Sequence, residues 1–101
     1  MIWRTLYNAL TLCQFQIPRP ALLLDAMRAV TGEARTLDEF LADGRRILEL
    51  KREINRQRGL TSADDRLPDA LLRSLAEGGT QGNVPDLAVL LAGAYEEFGW
   101  S

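Results

Sequence analysis

The chain has no histidine and a single cysteine, Cys13, among its 101 residues. Without imidazole, no Ser–His or Cys–His nucleophile pair forms within it, and a zinc site using histidine is excluded. A catalytic centre made wholly here would rely on carboxylates, lysine or tyrosine, and no constellation of these stands out. One thiol excludes an internal disulfide and fits a reducing compartment, so a cytoplasmic location is expected. No signal peptide and no apolar run long enough to cross a bilayer is read, so no membrane partner is expected. Sustained alternation, β-branched runs and internal repeats are also missing. What remains is helical periodicity, which predicts an all-α architecture of four to six helices.

The hydrophobic fraction of 47% is ordinary for a globular protein, and the length predicts one helical domain over residues 1–101. The net charge of −2 implies no general affinity for nucleic acid. Arginines recur from Arg45 to Arg58, but acidic residues interleave with them and no aromatic lies among them. A solvated helix face fits that pattern better than an RNA-binding one.

The central stretch, Arg45 to Thr61, predicts an amphipathic helix. Ile47, Leu50, Lys51 and Ile54 recur at the spacing of one buried face, with Leu48 at its edge. Basic residues in the last turn oppose the helix dipole, and Gly59 supplies a left-handed stop. Upstream, Thr36-Leu37-Asp38-Glu39 has the form of a capping box, followed by Leu37, Phe40 and Leu41 directed inward. Gly44 interrupts this helix, as a bend or as the place where another helix crosses closely.

The opening segment, Ile2 to Cys13, places Trp3, Leu6, Tyr7, Leu10 and Cys13 on one apolar helical stripe. Met1 leads into it with no capping residue, as if the chain began inside a larger structure. Gln14 to Pro20 is a connection marked by Pro18 and Pro20, and Pro20 opens a second helix, Ala21 to Val30, closed by Thr31-Gly32. After Gly59 a polar loop ends where Pro68 opens a short helix through Leu72 or Arg73. A glycine-rich connector, Glu77 to Asn83, leads to a last helix, Pro85 to Phe98. That helix places Leu87, Leu90, Leu91, Ala94, Tyr95 and Phe98 on one side.

Among groups able to do chemistry, Cys13 on its stripe reads first as a small buried hydrophobe, since an iron–sulfur cubane needs four thiolates and this chain has one. Asp64 and Asp65 are too few for a calcium loop and are expected to accept hydrogen bonds from backbone amides of their loop and of the Pro68 turn. Gly78-Gly79-Thr80-Gln81-Gly82 follows no strand and precedes no lysine, so it reads as a connector rather than a phosphate cradle. Glu96 and Glu97 read as a solvent-facing pair.

Several of these pieces occur together in a known order. Val30-Thr31-Gly32, Thr36-Leu37-Asp38-Glu39-Phe40-Leu41 and Arg45-Arg46-Ile47 through Asn55 come first. Arg58-Gly59-Leu60-Thr61, Asp64-Asp65-Arg66-Leu67-Pro68 and Tyr95-Glu96-Glu97-Phe98-Gly99-Trp100 follow. Across essentially its whole length, the chain resembles the carboxy-terminal part of the tungsten-containing aldehyde ferredoxin oxidoreductases. The resemblance implies an irregular orthogonal helical bundle packed against a catalytic body that carries a tungsten (or molybdenum) bis-pterin beside a [4Fe–4S] cluster.

In that family three cluster cysteines come from an earlier domain and the fourth from an Asp-x-x-Gly-Leu-Cys segment, whose aspartate contacts the pterin. Asn8-Ala9-Leu10-Thr11-Leu12-Cys13 aligns with it. The resemblance therefore makes Cys13 the fourth cluster ligand, with Leu12 and Asn8 beside the pterin. Asn8 stands where the family has aspartate and Thr11 where it has glycine. A carboxamide still accepts a hydrogen bond but carries no charge, and a threonine crowds a backbone approach that glycine permits.

The implied partners are the rest of the oxidoreductase and ferredoxin as electron acceptor. The isolated chain is expected to hold no cofactor, to be inactive toward aldehydes, and to self-associate through an uncovered Trp3–Leu6–Leu10 face. The contrasting possibility is a free-standing helical interaction module in which Cys13 is only packing.

Overall fold

The structure, a computed structural model, describes residues 1–13, 15, 16 and 18–100. Four α-helices and no strand occur among the described residues: α1 (Ile2–Ala9), α2 (Pro20–Thr31), α3 (Leu37–Gln57) and α4 (Leu87–Phe98). Two short 3₁₀ turns, Ser62–Asp64 and Asp69–Leu72, lie between α3 and α4. The all-α expectation holds. The chain divides into two compact units, Met1–Gln57 and Arg58–Ser101.

In the first unit, α1 and α2 both pack on α3. The core is small: Leu6, Tyr7, Leu23 and Phe40, one or two from each helix, with Ile2, Trp3, Leu10, Leu12, Leu24, Met27 and Leu41 packed around them. Trp3 sets its ring edge-on to both Tyr7 and Phe40, at centroid separations of 5.3 and 6.2 Å. That is the geometry favoured by the quadrupoles of aromatic rings. Of the Trp3–Leu6–Leu10 stripe, expected to lie open, Leu6 is buried in the core with Leu23 and Phe40, and Trp3 and Leu10 are half-buried against it.

Gly44 is the point of closest approach. The α3 helix is continuous through it, and a Cβ placed there would stand 2.8 Å from both Ile2 Cγ2 and Leu6 Cγ. Of the two readings the sequence left open, the close crossing is the one realised. Both obstructing atoms belong to branched side chains, and Leu6 is buried, which leaves it no room to withdraw.

The capping box of α3 forms as expected. The Thr36 hydroxyl accepts from the Glu39 amide at 3.2 Å, and the Glu39 carboxylate accepts from the Thr36 amide at 2.8 Å. Pro20 occupies the first turn of α2, and Gly32 ends that helix in the left-handed region. Within the connection expected from Gln14 to Pro20, Gln14 and Ile17 lie outside the described residues.

Three expectations for α3 and α1 are corrected. Leu50, Lys51 and Ile54, placed on a buried face, are exposed, and Ile47 is only half-buried. The reason is length: α1, at 8 residues, covers about 12 Å, whereas the 21 residues of α3 extend about 31 Å. Leu37, expected inward, is exposed at the first turn of α3. Finally, α1 ends at Ala9 rather than running on to Cys13.

The second unit is built differently. No described residue in it is fully buried. The 3₁₀ turn at Ser62–Asp64 repeats the capping-box device, with the Asp64 carboxylate accepting from the Thr61 amide at 2.8 Å. Pro68 is the N-cap of the expected short helix, which is of 3₁₀ type and ends at Leu72. The Asp86 side chain caps α4 by accepting from the Val89 amide, and Gly99 ends it in the left-handed region. Along α4, Leu87, Leu91, Ala94, Tyr95 and Phe98 are half-buried, but Leu90 is exposed. Trp100 stacks on Phe98 at a centroid distance of 4.7 Å and meets Tyr95 edge-on.

Two glycines inside helices give opposite expectations. Gly44→Ala should destabilise the chain by about 1 kcal/mol or more, overpacking outweighing the gain in helix propensity. At Gly93 in α4 a Cβ would meet nothing within 4 Å. Gly93→Ala should therefore stabilise by up to about 1 kcal/mol. Urea unfolding followed by far-UV circular dichroism distinguishes them, and equal shifts of one sign would refute the close crossing.

The two boxes also set a pH response. Hydrogen bonds from Thr36 hold Glu39 below its ordinary value, and those from Thr61 do the same for Asp64. Both carboxylates thus stabilise the fold above their unfolded-state values, and that contribution is lost as pH falls through the lower folded-state ones. Amide exchange at Thr36 and Thr61 should accelerate, relative to the intrinsic rate, only as the solution is acidified below the ordinary carboxylate range. Glu39→Gln and Asp64→Asn, which leave no titrating carboxylate to accept these amides, should abolish the effect, each at its own site.

Candidate functional site

The loop after α1 carries the residues singled out from the sequence, and its shape follows from how that helix stops. Leu10 is the C-cap of α1, and Thr11 adopts φ 57°, the one left-handed residue other than glycine among those described. The Thr11 amide then donates to the Asn8 carbonyl at 3.2 Å and the Leu12 amide to the Tyr7 carbonyl at 2.9 Å. This paired arrangement is a Schellman motif, which usually places glycine at the position Thr11 holds. A β-branched residue there is strained, because its Cβ crowds the following carbonyl. Its hydroxyl donates to the Leu10 carbonyl at 2.7 Å.

Tyr7 ties down both ends of the loop. Its carbonyl receives the Leu12 amide, and its hydroxyl donates to the Pro18 carbonyl at 3.0 Å. The ring is only 2% exposed, so the hydroxyl must find a partner within the protein. Between these anchors, the Gln16 amide donates to the Cys13 carbonyl at 3.1 Å and forms a tight turn. Leu12, Cys13, Gln16 and Pro18 line an open cleft of about 420 Å³.

Cys13 is exposed, off the helix, and free. The expectation of a small buried hydrophobe on the α1 stripe is therefore corrected: the left-handed turn at Thr11 ends the helical register before Cys13. Leu12 is half-buried against the core and shares the cleft with Cys13. Asn8 is exposed in the last turn of α1 and does not line that cleft. The structure thus brings Leu12 and Cys13 together and leaves Asn8 to one side. Tyr7 and Pro18 were missed as positioning residues; the signal was a phenol, with its polar tip, in the middle of an apolar stripe.

The acidic pair falls outside this loop. Asp64 caps its own 3₁₀ turn as expected, and Asp65 accepts from the Tyr95 hydroxyl, a side chain 30 residues away. Asp64, Arg66, Leu67, Pro68 and Asp69 line a separate open cleft of about 460 Å³. Gly78 and Gly82 take left-handed turns in an exposed connector. Among the described residues, no group of three or more histidine, cysteine, aspartate or glutamate side chains could hold a metal ion.

Over residues 1–101 the chain matches the family described as aldehyde ferredoxin oxidoreductase, domains 2 & 3. It belongs to the aldehyde ferredoxin oxidoreductase family. No curated protein and no solved structure gives a match. Membership bears directly on the donor set. The family implies a metal–pterin and an iron–sulfur cluster in the complete enzyme, and this chain offers one exposed thiol at the edge of a cleft. That fits a single ligand contributed to a cluster completed elsewhere, and it does not fit a whole metal site. Thr11, where the resemblance implies a glycine, thus holds the left-handed position of the turn.

Replacing Thr11 with glycine should relieve the strain and stabilise the first unit by about 1 kcal/mol. Tyr7→Phe should cost about 1 kcal/mol by removing the hydroxyl's hydrogen bond. It should also speed amide exchange at Gln16, while Thr11→Gly should leave that exchange unchanged or slower. Identical exchange in both variants would mean that Tyr7 does not hold the loop.

Proposed function

We propose that this chain is the helical cluster-side domain of an aldehyde:ferredoxin oxidoreductase and that Cys13 is its contribution to the [4Fe–4S] cluster. One observation carries the proposal: the aligned cysteine is exposed in a loop anchored at both ends, instead of packed in the core. A thiolate presented this way needs no rearrangement of the helices to reach a cluster held by another domain. The tungsten (or molybdenum) bis-pterin would supply the two-electron oxidation of the aldehyde, and the cluster would supply one-electron transfer to ferredoxin.

The roles of the chain's own residues follow from their chemistry. Cys13 binds through its thiolate, the form in which cysteine ligates iron. Leu12 presents an apolar side chain in the same cleft and would help exclude water from the cluster. Asn8 would hold the pterin by accepting a hydrogen bond from one of its amines through the carboxamide oxygen, without the charge assistance of an aspartate. Tyr7 and Pro18 position the loop through the hydrogen bond between them. Alone, the chain would not oxidise aldehydes, because it provides one thiolate and no histidine. A cytoplasmic location accords with a ferredoxin partner and a free thiol.

The test is Cys13→Ala in the assembled enzyme, read by iron content and by the electron paramagnetic resonance of the reduced cluster. Because Cys13 is exposed, the helical content should not change. Loss of iron and of the cluster signal, with the helical spectrum intact, is the expected result. Full iron content with an unaltered signal would overturn the assignment and favour a helical interaction module without a cofactor.

A further inference from the structure

We draw no further inference here: the strongest candidate, the apolar face left open on the second half of α3 by Leu50 and Ile54, carries nothing because nothing in the structure shows what covers it.

Discussion

The crossing of α1 over α3 at Gly44 is the contact on which the first unit depends. With no side chain there, Ile2 and Leu6 rest directly on the α3 backbone, and any Cβ would stand 2.8 Å from each. This approach lets an 8-residue helix, too short to be stable alone, bury Leu6 and Tyr7. Phe40, one turn before Gly44, then meets Trp3 edge-on, and Leu23 of α2 completes the cluster. Helix propensity is given up at Gly44, and the packing recovers more than that cost.

Burial of Tyr7 has a second consequence. Its hydroxyl cannot remain unpaired in such a place, and the Pro18 carbonyl is where it is satisfied. The same residue receives the Leu12 amide through its own carbonyl. Core packing and loop shape are therefore linked through one side chain, and Cys13 lies within the loop so defined. A free thiol on a loose loop would have to be ordered before it could bind. Here much of that ordering accompanies folding of the helical unit.

The second unit relies on polar and aromatic contacts in place of a buried core. Thr61 and Asp64 close one turn on themselves, Asp86 caps α4, and the Tyr95 hydroxyl donates to Asp65. Trp100 folds back beside Tyr95 and Phe98. The residues that carried the family resemblance in this half, Asp64-Asp65 and Tyr95 through Trp100, are thus largely those that hold the unit together.

Local chemistry was legible in the sequence by itself. The Thr36–Glu39 box, Pro20 in the first turn of α2, the glycine stops at Gly32 and Gly59, and the helical class all depend on a few neighbouring residues, and all formed. Family membership was legible too, because it lies in the order of short motifs. The tertiary structure decided what depends on distant partners. Periodicity marked Ile47, Leu50 and Ile54 as an apolar face, but whether a face is covered depends on the reach of other helices, and α1 is too short. It marked Cys13 as part of a stripe, but the strained left-handed turn at Thr11 ended the helix four residues earlier. It could not tell a bend from a crossing at Gly44, because that distinction belongs to Ile2 and Leu6. Nor could it pair Asp65 with Tyr95, since a hydrogen bond spanning 30 residues leaves no trace in local spacing.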